Sequence, residues 1–304
     1  MGRIIASRLI QGVIVIIGIT FLVFFATFLT GDPASLMLGE GATKAQVDAL
    51  RQLMGFDRPL LVQYASFLGR AVRGDFGTSL YFHKANLDLV LERLPATIQL
   101  ATLALLLALS LAIPLGILAA VGRQTWLDAF AMVLALIGQA TPNFWLGIML
   151  ILVFAVDLHW FPASGRGGLA HLVLPTITLA TFPLALNARM VRSTMLEVLG
   201  EDYVRTARAK GLTERLVLYK HALRNALNPV ITVVGLQVGA FMGGSVIVET
   251  VFAWPGLGRL AVQAILVKDF PLVQTAVTFL ALVLLAVNLI VDILYFVIDP
   301  RVRY

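Results

Sequence analysis

Long apolar runs dominate the chain and are separated by two sizeable polar segments. Six runs are continuous enough to cross a bilayer: Leu9–Leu29, Thr97–Val121, Leu127–Val156, Leu172–Val191, Pro229–Val251 and Leu272–Ile298. A helix needs about 20 apolar residues to span the hydrocarbon core. The runs do not alternate apolar with polar positions, so they predict helices rather than barrel strands. The predicted fold class is all-α: a polytopic membrane protein with six transmembrane helices. Residues 1–96 would form the first helix and a long external loop. Residues 97–304 would form a five-helix core interrupted by an inner polar loop at about 193–227.

The outer polar segment runs from Thr30 to about Ala96. Asp32-Pro33, Gly39-Glu40-Gly41 and Gly74-Asp75 mark turns in it. Thr43 is placed to cap a short helix over Lys44–Met54, with Gly55 as its stop. Tyr64, Phe67 and Leu68 at helical spacing predict a second short amphipathic helix on the membrane surface, packed as a lid over the outer mouth.

The inner polar segment runs from Ser193 to about Leu227. Its first helix is expected to end at Ala209, and Gly211 suits the left-handed residue that closes it. Thr213 would cap a second helix, with Glu214 favourably placed in its first turn. Leu216, Tyr219, Leu223 and Leu227 predict its apolar face, and Asn228-Pro229 its end. The small residues Ala207 and Ala209 would let another protein dock closely. Gly235, Gly239 and Gly243 repeat a small-xxx-small pattern, which brings helix backbones together in lipid, within this chain or against a partner. Pro114, Pro142, Pro175 and Pro183 interrupt helices two to four, either as bends around a pathway or as inert kinks.

Composition agrees with lipid as the solvent. The 304 residues are 59% hydrophobic and 13% charged, with mean hydropathy +0.91. Soluble domains carry about 25% charged residues. Arg3 and Arg8 precede the first run as in a secretory signal, but that run has 21 residues and is followed by Thr30-Gly31-Asp32-Pro33, so an uncleaved helix is expected. With the N-terminus inside, 13 of 23 basic and 7 of 17 acidic residues fall on the inner side, Arg189 and Arg192 among them. The whole formal charge of +6 then lies inside, as the positive-inside rule requires. That distribution explains the pI of about 9.9 without nucleic-acid binding.

Several chemistries are missing. There is no cysteine, and no lysine is followed by serine or threonine, which excludes a P-loop. There is no His-Glu-x-x-His helix and no Gly-x-Ser-x-Gly elbow. His83, His159, His171 and His221 are scattered in sequence and read as surface or interfacial residues. Glu249 near the outer end of the fifth run and Asp292 in the sixth are the candidate intramembrane acids, too few for an ion relay. A free-standing secondary transporter would be expected to show internal repeats and coupling residues, and neither is visible. An intramembrane enzyme is disfavoured by the missing catalytic sets.

The inner segment Glu201-Asp202-Tyr203-x-Arg205-Thr206-Ala207-Arg208-Ala209-Lys210-Gly211, with His221-Ala222-Leu223-Arg224-Asn225-Ala226 beyond it, resembles the cytoplasmic coupling loop of ABC importer permeases of the peptide-type branch. Gly31-Asp32-Pro33-Ala34, Gly74-Asp75-Phe76-Gly77-x-Ser79, Arg93-Leu94-Pro95-Ala96-Thr97 and Trp254-Pro255-Gly256-Leu257-Gly258-Arg259 extend the resemblance over nearly the whole chain. Other branches read Glu-Ala-Ala before the loop glycine. Here Arg205-Thr206-Ala207 stands at those positions, so Arg205 and Arg208 would meet acids on the ATPase.

The resemblance implies a type I ABC importer permease fold with cytoplasmic N- and C-termini, in the inner membrane of a prokaryote. The long outer loop resembles that of the first of two permeases. The implied partners are a second homologous permease, two ATPase subunits and an extracytoplasmic solute-binding protein. ATP and Mg would be bound by the ATPases, and this chain would hold no cofactor and catalyse nothing. The implied coupling residues are Glu201, Asp202, Tyr203, Arg205, Thr206, Ala207, Arg208, Lys210, Gly211, His221 and Arg224. The cargo would be a dipeptide, oligopeptide, glutathione or nickel complex, chosen mainly by the binding protein.

Overall fold

The structure, a computed structural model, describes the backbone of residues 2–29, 31–39 and 41–298. It is helical from end to end, and among the described residues the sole β feature is an isolated bridge between Thr78 and Ala85. The helices are α1 (Gly2–Leu29), α2 (Pro33–Leu38), α3 (Lys44–Met54), α4 (Leu60–Ala71), α5 (Asn86–Val121), α6 (Trp126–Ala140), α7 (Asn143–Leu150), α8 (Ala170–Leu199), α9 (Asp202–Ala209), α10 (Glu214–Leu216), α11 (Leu223–Val251), α12 (Leu257–Leu266) and α13 (Phe270–Ile298). By length and apolarity, α1, α5, α8 and α13 can each cross a membrane, and α6 with α7 forms a bent pair that can count as a fifth span. The 29-residue α11 covers the fifth apolar run.

Three features depart from the sequence reading. The run Leu127–Val156 is not one straight helix, because α6 and α7 meet at 104°. Pro142 is the cause. A proline pushes the residue before it out of helical geometry, and Thr141 is extended at ψ 121°. The other prolines do not interrupt: Pro114 lies within α5, and Pro175 and Pro183 within α8. The second difference is α5, which begins at Asn86, eleven residues before the predicted Thr97. Its first turns are kept helical by Leu89 and Val90, buried against Leu257, Leu260, Leu272 and Ala276. The third is α12, unforeseen because it has only ten residues. The Trp-Pro-Gly turn ahead of it makes sense here, since the Leu257 N–H donates to Thr97 Oγ1 at 2.8 Å.

Contacts divide the chain into two compact units. One comprises the chain up to Thr97 with Pro255–Leu289, and the other Ile98–Trp254 with the chain from Ile290. In the first, α3 starts with a complete capping box, Thr43 with Gln46, and stops at Gly55 with φ 72°. The apolar face of α4 is covered by protein: Tyr64 and Phe67 are buried against Phe24 of α1. The Tyr64 hydroxyl donates to the Ile17 carbonyl at 2.8 Å and shares a 2.9 Å bond with Thr20. In the second unit, α8 is the central strut. Gly116 of α5 touches it so closely that a Cβ would meet Val191 at 2.6 Å. Asp128 of α6 accepts two hydrogen bonds from Arg192, at 2.5 and 2.7 Å. Asn187 and Gln237 exchange amide bonds between α8 and α11. Arg192 and Arg189 are both carried by α8 itself.

Candidate functional site

The inner segment is a short bracket hung between α8 and α11. After Gly200, Glu201 is extended and starts α9, whose Asp202 lies in the first turn and Arg208 in the last, both favourable for the helix dipole. Lys210 caps the helix. Gly211 follows in the left-handed region at φ 74°, as predicted, with open space around its Cα. The chain then reverses through Thr213 into α10. Thr213 has extended geometry, but its side chain makes no cap hydrogen bond.

What fixes the bracket is a small apolar foot. Val204 and Ala207 are buried against Val217, with Val198, Leu199 and Leu212 around them. Ala207 therefore serves close packing inside this chain, a correction to its expected role in admitting another protein. Ala209 is exposed. Two polar links complete the bracket. Arg208 grips the Glu214 carboxylate with two bonds, 2.7 and 3.2 Å, across the Gly211 turn. Tyr203 Oη accepts from Asn225 Nδ2 at 2.9 Å, tying α9 to α11. The hydrogen bonds from Arg208 hold the Glu214 carboxyl below the ordinary glutamate range, against a smaller opposing push from partial burial. Glu214 raises the Arg208 guanidinium in return.

The second predicted helix is a different object. After the single turn of α10, residues Val217–Ala222 form a π-helical turn that passes directly into α11. A π turn inserts a residue into the helical register and rotates the face that follows. The buried stripe is therefore Val217, Ala222, Ala226 and Val230. Leu223 and Leu227 only flank it, while Leu216 and Tyr219 of the predicted apolar face are exposed. Nor does Asn228-Pro229 end the helix, since α11 runs through Pro229. Asn225, Asn228 and Pro229 all lie on the exposed side of the helix.

The remaining candidates share the outer surface of the bracket. Arg205 is exposed and pairs with Asp202 at 3.3 Å, a contact of little energetic weight between two solvated groups. Thr206 bonds back to the Asp202 carbonyl. Glu201, Lys210 and Arg224 are exposed and His221 is half-buried. Lys210, Arg215, Lys220 and Arg224 have no partner among the described residues. From Glu201 to Arg224 there are six Lys/Arg and three acids, so the outward face is positive. Among the described residues no group of His, Cys, Asp or Glu could hold a metal. The arrangement is a basic outward surface mounted on a small apolar foot.

The glycines of α11 behave unequally. A Cβ on Gly235 would stand 2.5 Å from Val291 of α13, so this glycine serves packing within the chain. Gly239 is half-buried, and Gly243 has nothing within 4 Å of an added Cβ. Sequence reasoning missed the foot, the Arg208–Glu214 brace and the Asp128–Arg192 pair. The spacing of Arg208 and Glu214 about Gly211 was the available signal for the brace. Asp128 and Arg192 are 64 residues apart and carried none.

Residues 112–304 match the family described as the binding-protein-dependent transport system inner membrane component, and residues 1–101 match its N-terminal companion. A Brucella abortus (strain 2308) protein, named as a permease of a peptide transport system, is 44% identical over the whole of both chains. The glutathione transport system permease protein GsiC of Escherichia coli (strain K12) is 42% identical, covering 94% of each chain. The dipeptide transport system permease protein DppB of Alkalihalophilus pseudofirmus is 39% identical, covering 98% of each. Among solved structures, a chain of the inward-facing methionine ABC transporter MetNI superposes with TM-score 0.57 at 20% identity, over 69% of this chain and 96% of that one. That likeness is one of fold.

Proposed function

The chain belongs to the family of binding-protein-dependent transport inner-membrane components and is the permease subunit of an ABC importer; from this premise we propose that its bracket is the lever through which cytoplasmic ATPases drive transport of a peptide-like solute. Two ATPase subunits would bind ATP and Mg, a second homologous permease would complete the pathway, and a solute-binding protein would deliver cargo from outside. The membrane would be the inner membrane of a prokaryote, with both termini in the cytoplasm. Residues 1–96 would supply the first helix and external loop, and 97–304 the permease core. The peptide-like cargo is supported by the peptide, dipeptide and glutathione systems to which the relatives' names assign them.

The observation that carries this reading is the mounting of α9. Val204 and Ala207 hold it from beneath, and Tyr203–Asn225 ties it to α11. A push on α9 would pass through this foot and tie to the 29-residue α11. The positive outward face suits acidic groups on an ATPase. Within it, Arg205 is available to a partner, whereas Arg208 is engaged by Glu214 and acts as a brace. Gly243, with its open surroundings, would face the second permease.

The test is co-expression of the chain with its companion subunits, followed by purification through a tag on this chain. An ATPase should co-purify, and Arg205→Glu should weaken that association while membrane insertion stays intact. If no ATPase is recruited, the lever reading fails. The rival, a free-standing secondary transporter, would transport solute in proteoliposomes holding this chain alone.

A further inference from the structure

An arginine on the outside of a membrane helix is tolerated in two ways. Its stem can run to the nearest aqueous interface, or its head can face a water-filled cavity. Arg189 is exposed and lies ten residues before Leu199, on the half of α8 that leads to the inner bracket. Its head turns the other way. Nη1 donates to Gln139 Oε1 at 2.6 Å. Gln139 is the last residue but one of α6, and the adjacent Gly138 sits against Thr181 and Ala185, at the middle of α8. The guanidinium is thus carried away from the inner end and toward the centre of the span.

Arg192, one turn along, shows what a purely structural arginine looks like on these helices. It spends two hydrogen bonds on the buried Asp128 carboxylate. Arg189 has one neutral amide, and no other described residue bonds it. A guanidinium carries five N–H donors in a planar fork suited to a carboxylate. Gln139 orients that fork and leaves most of it unfilled. Thr141 beside it is half-buried, like Gln139, at the break before α7. Such a group facing lipid would be costly, and facing water it costs little.

We propose that the α6–α8 face carrying Gln139 and Arg189 borders the water-filled translocation pathway, and that Arg189 is a positive station that pairs with the carboxylate of a passing solute. This rests on the importer reading above and adds to it a chemical requirement: cargo with a free carboxylate.

The test uses the natural absence of cysteine from this chain. Gln139→Cys, Thr141→Cys and, as a control on the apolar surface of α6, Leu134→Cys are made singly in the full transporter. Each is exposed to methanethiosulfonate reagents of similar size, one sulfonated and one quaternary ammonium. Cysteine at 139 or 141 should react while cysteine at 134 does not. At the reactive position the anionic reagent should be favoured, and Arg189→Gln should reduce that preference about tenfold, a factor expected for one nearby charge. Arg189→Lys should restore most of it. Failure of both 139 and 141 to react in a complex that retains its ATPases overturns this inference alone. So does a reagent preference indifferent to Arg189→Gln. Failure to assemble with ATPases overturns the importer reading and takes the inference with it.

Discussion

The outer polar segment between Gly31 and Ala85 and the inner one between Glu201 and Ala222 face the same difficulty: a short polar stretch must hold its shape beside oily helices. The outer segment closes part of its polar groups on itself, while Lys44, Arg58, Arg70 and Arg73 stay exposed. Asp32 caps α2 and accepts from Arg51 at 2.9 Å, Thr43 and Gln46 cap α3, and Gln63 donates to the carbonyls of Phe56 and Arg58. A broad aromatic foot, Tyr64 and Phe67 on Phe24 and Phe28, then fixes it to α1. The inner segment stands on three small residues, Val204, Ala207 and Val217, with one brace and one tie. The rest of its charge points outward. The two segments therefore differ more in their anchoring than in their charge: one stands on a broad aromatic foot and the other on a small aliphatic one.

The comparison breaks most readily at the two feet. Val204→Asp buries a charge with no partner at a position that is 0% exposed, which costs about 3–5 kcal/mol. The bracket should detach, seen as new protease cleavage between 201 and 211 and loss of co-purifying ATPase, with the helices still inserted. Tyr64→Ala should cost about 3–5 kcal/mol, as for other large buried aromatics. The effect should appear as a lower Tm of the purified chain while the ATPases stay bound. If Tyr64→Ala releases the ATPases and Val204→Asp does not, the assignment of roles to the two segments is reversed.

Gly211→Val tests the hinge of the bracket. Open space surrounds the position, so the penalty is backbone strain alone, about 1–2 kcal/mol for a side chain in the left-handed region. Uptake should uncouple from ATP hydrolysis while insertion is retained; normal uptake in the variant would remove Gly211 from the lever. The Arg208–Glu214 brace is smaller still. Arg208→Glu should loosen the bracket by about 1 kcal/mol or less, the range for solvated pairs. Combining it with Glu214→Arg should restore protease resistance. If the double variant assembles no better than the single one, Arg208 contacts the ATPase itself.

The weakest effect is that of pH. The Glu214 carboxyl is held below its ordinary range in the folded bracket, mainly by the Arg208 bond. The carboxylate's contribution is fully present above the ordinary glutamate value and is lost as pH falls through the depressed folded value. Asp32 behaves likewise in the outer segment: burial pushes it up, but the bonds from Arg51 and Ser35 outweigh that and leave it low. Protease resistance of both segments should therefore be flat through neutral and alkaline pH and decline only in acid. A decline around neutrality would point to a group other than these two.

The legible parts were those with local causes. The capping box at Thr43, the stop at Gly55 and the reversal at Gly211 follow from residues within one turn of each other. The break of α6 from α7 was legible in principle, since Gln139, Thr141, Pro142 and Asn143 cluster in an otherwise apolar run. Its consequence was not, because hydropathy measures length and oiliness but not direction. The apolar face assigned to Leu216, Tyr219, Leu223 and Leu227 failed for a related reason. A π turn at Val217–Ala222 has no distinct periodicity of its own, and adding one residue rotates the stripe that follows.

By itself the sequence determined that this chain lives in lipid as helices, and where α3 starts and stops and α9 ends. Those properties depend on composition and on neighbours in the chain. Only the tertiary structure decided that Ala207 faces inward, that Arg208 belongs to Glu214 and Arg192 to Asp128, and that Arg189 turns toward the middle of its helix. A side chain's partner depends on which helix the fold brings beside it, and the spacing of charges along the chain carries little of that information.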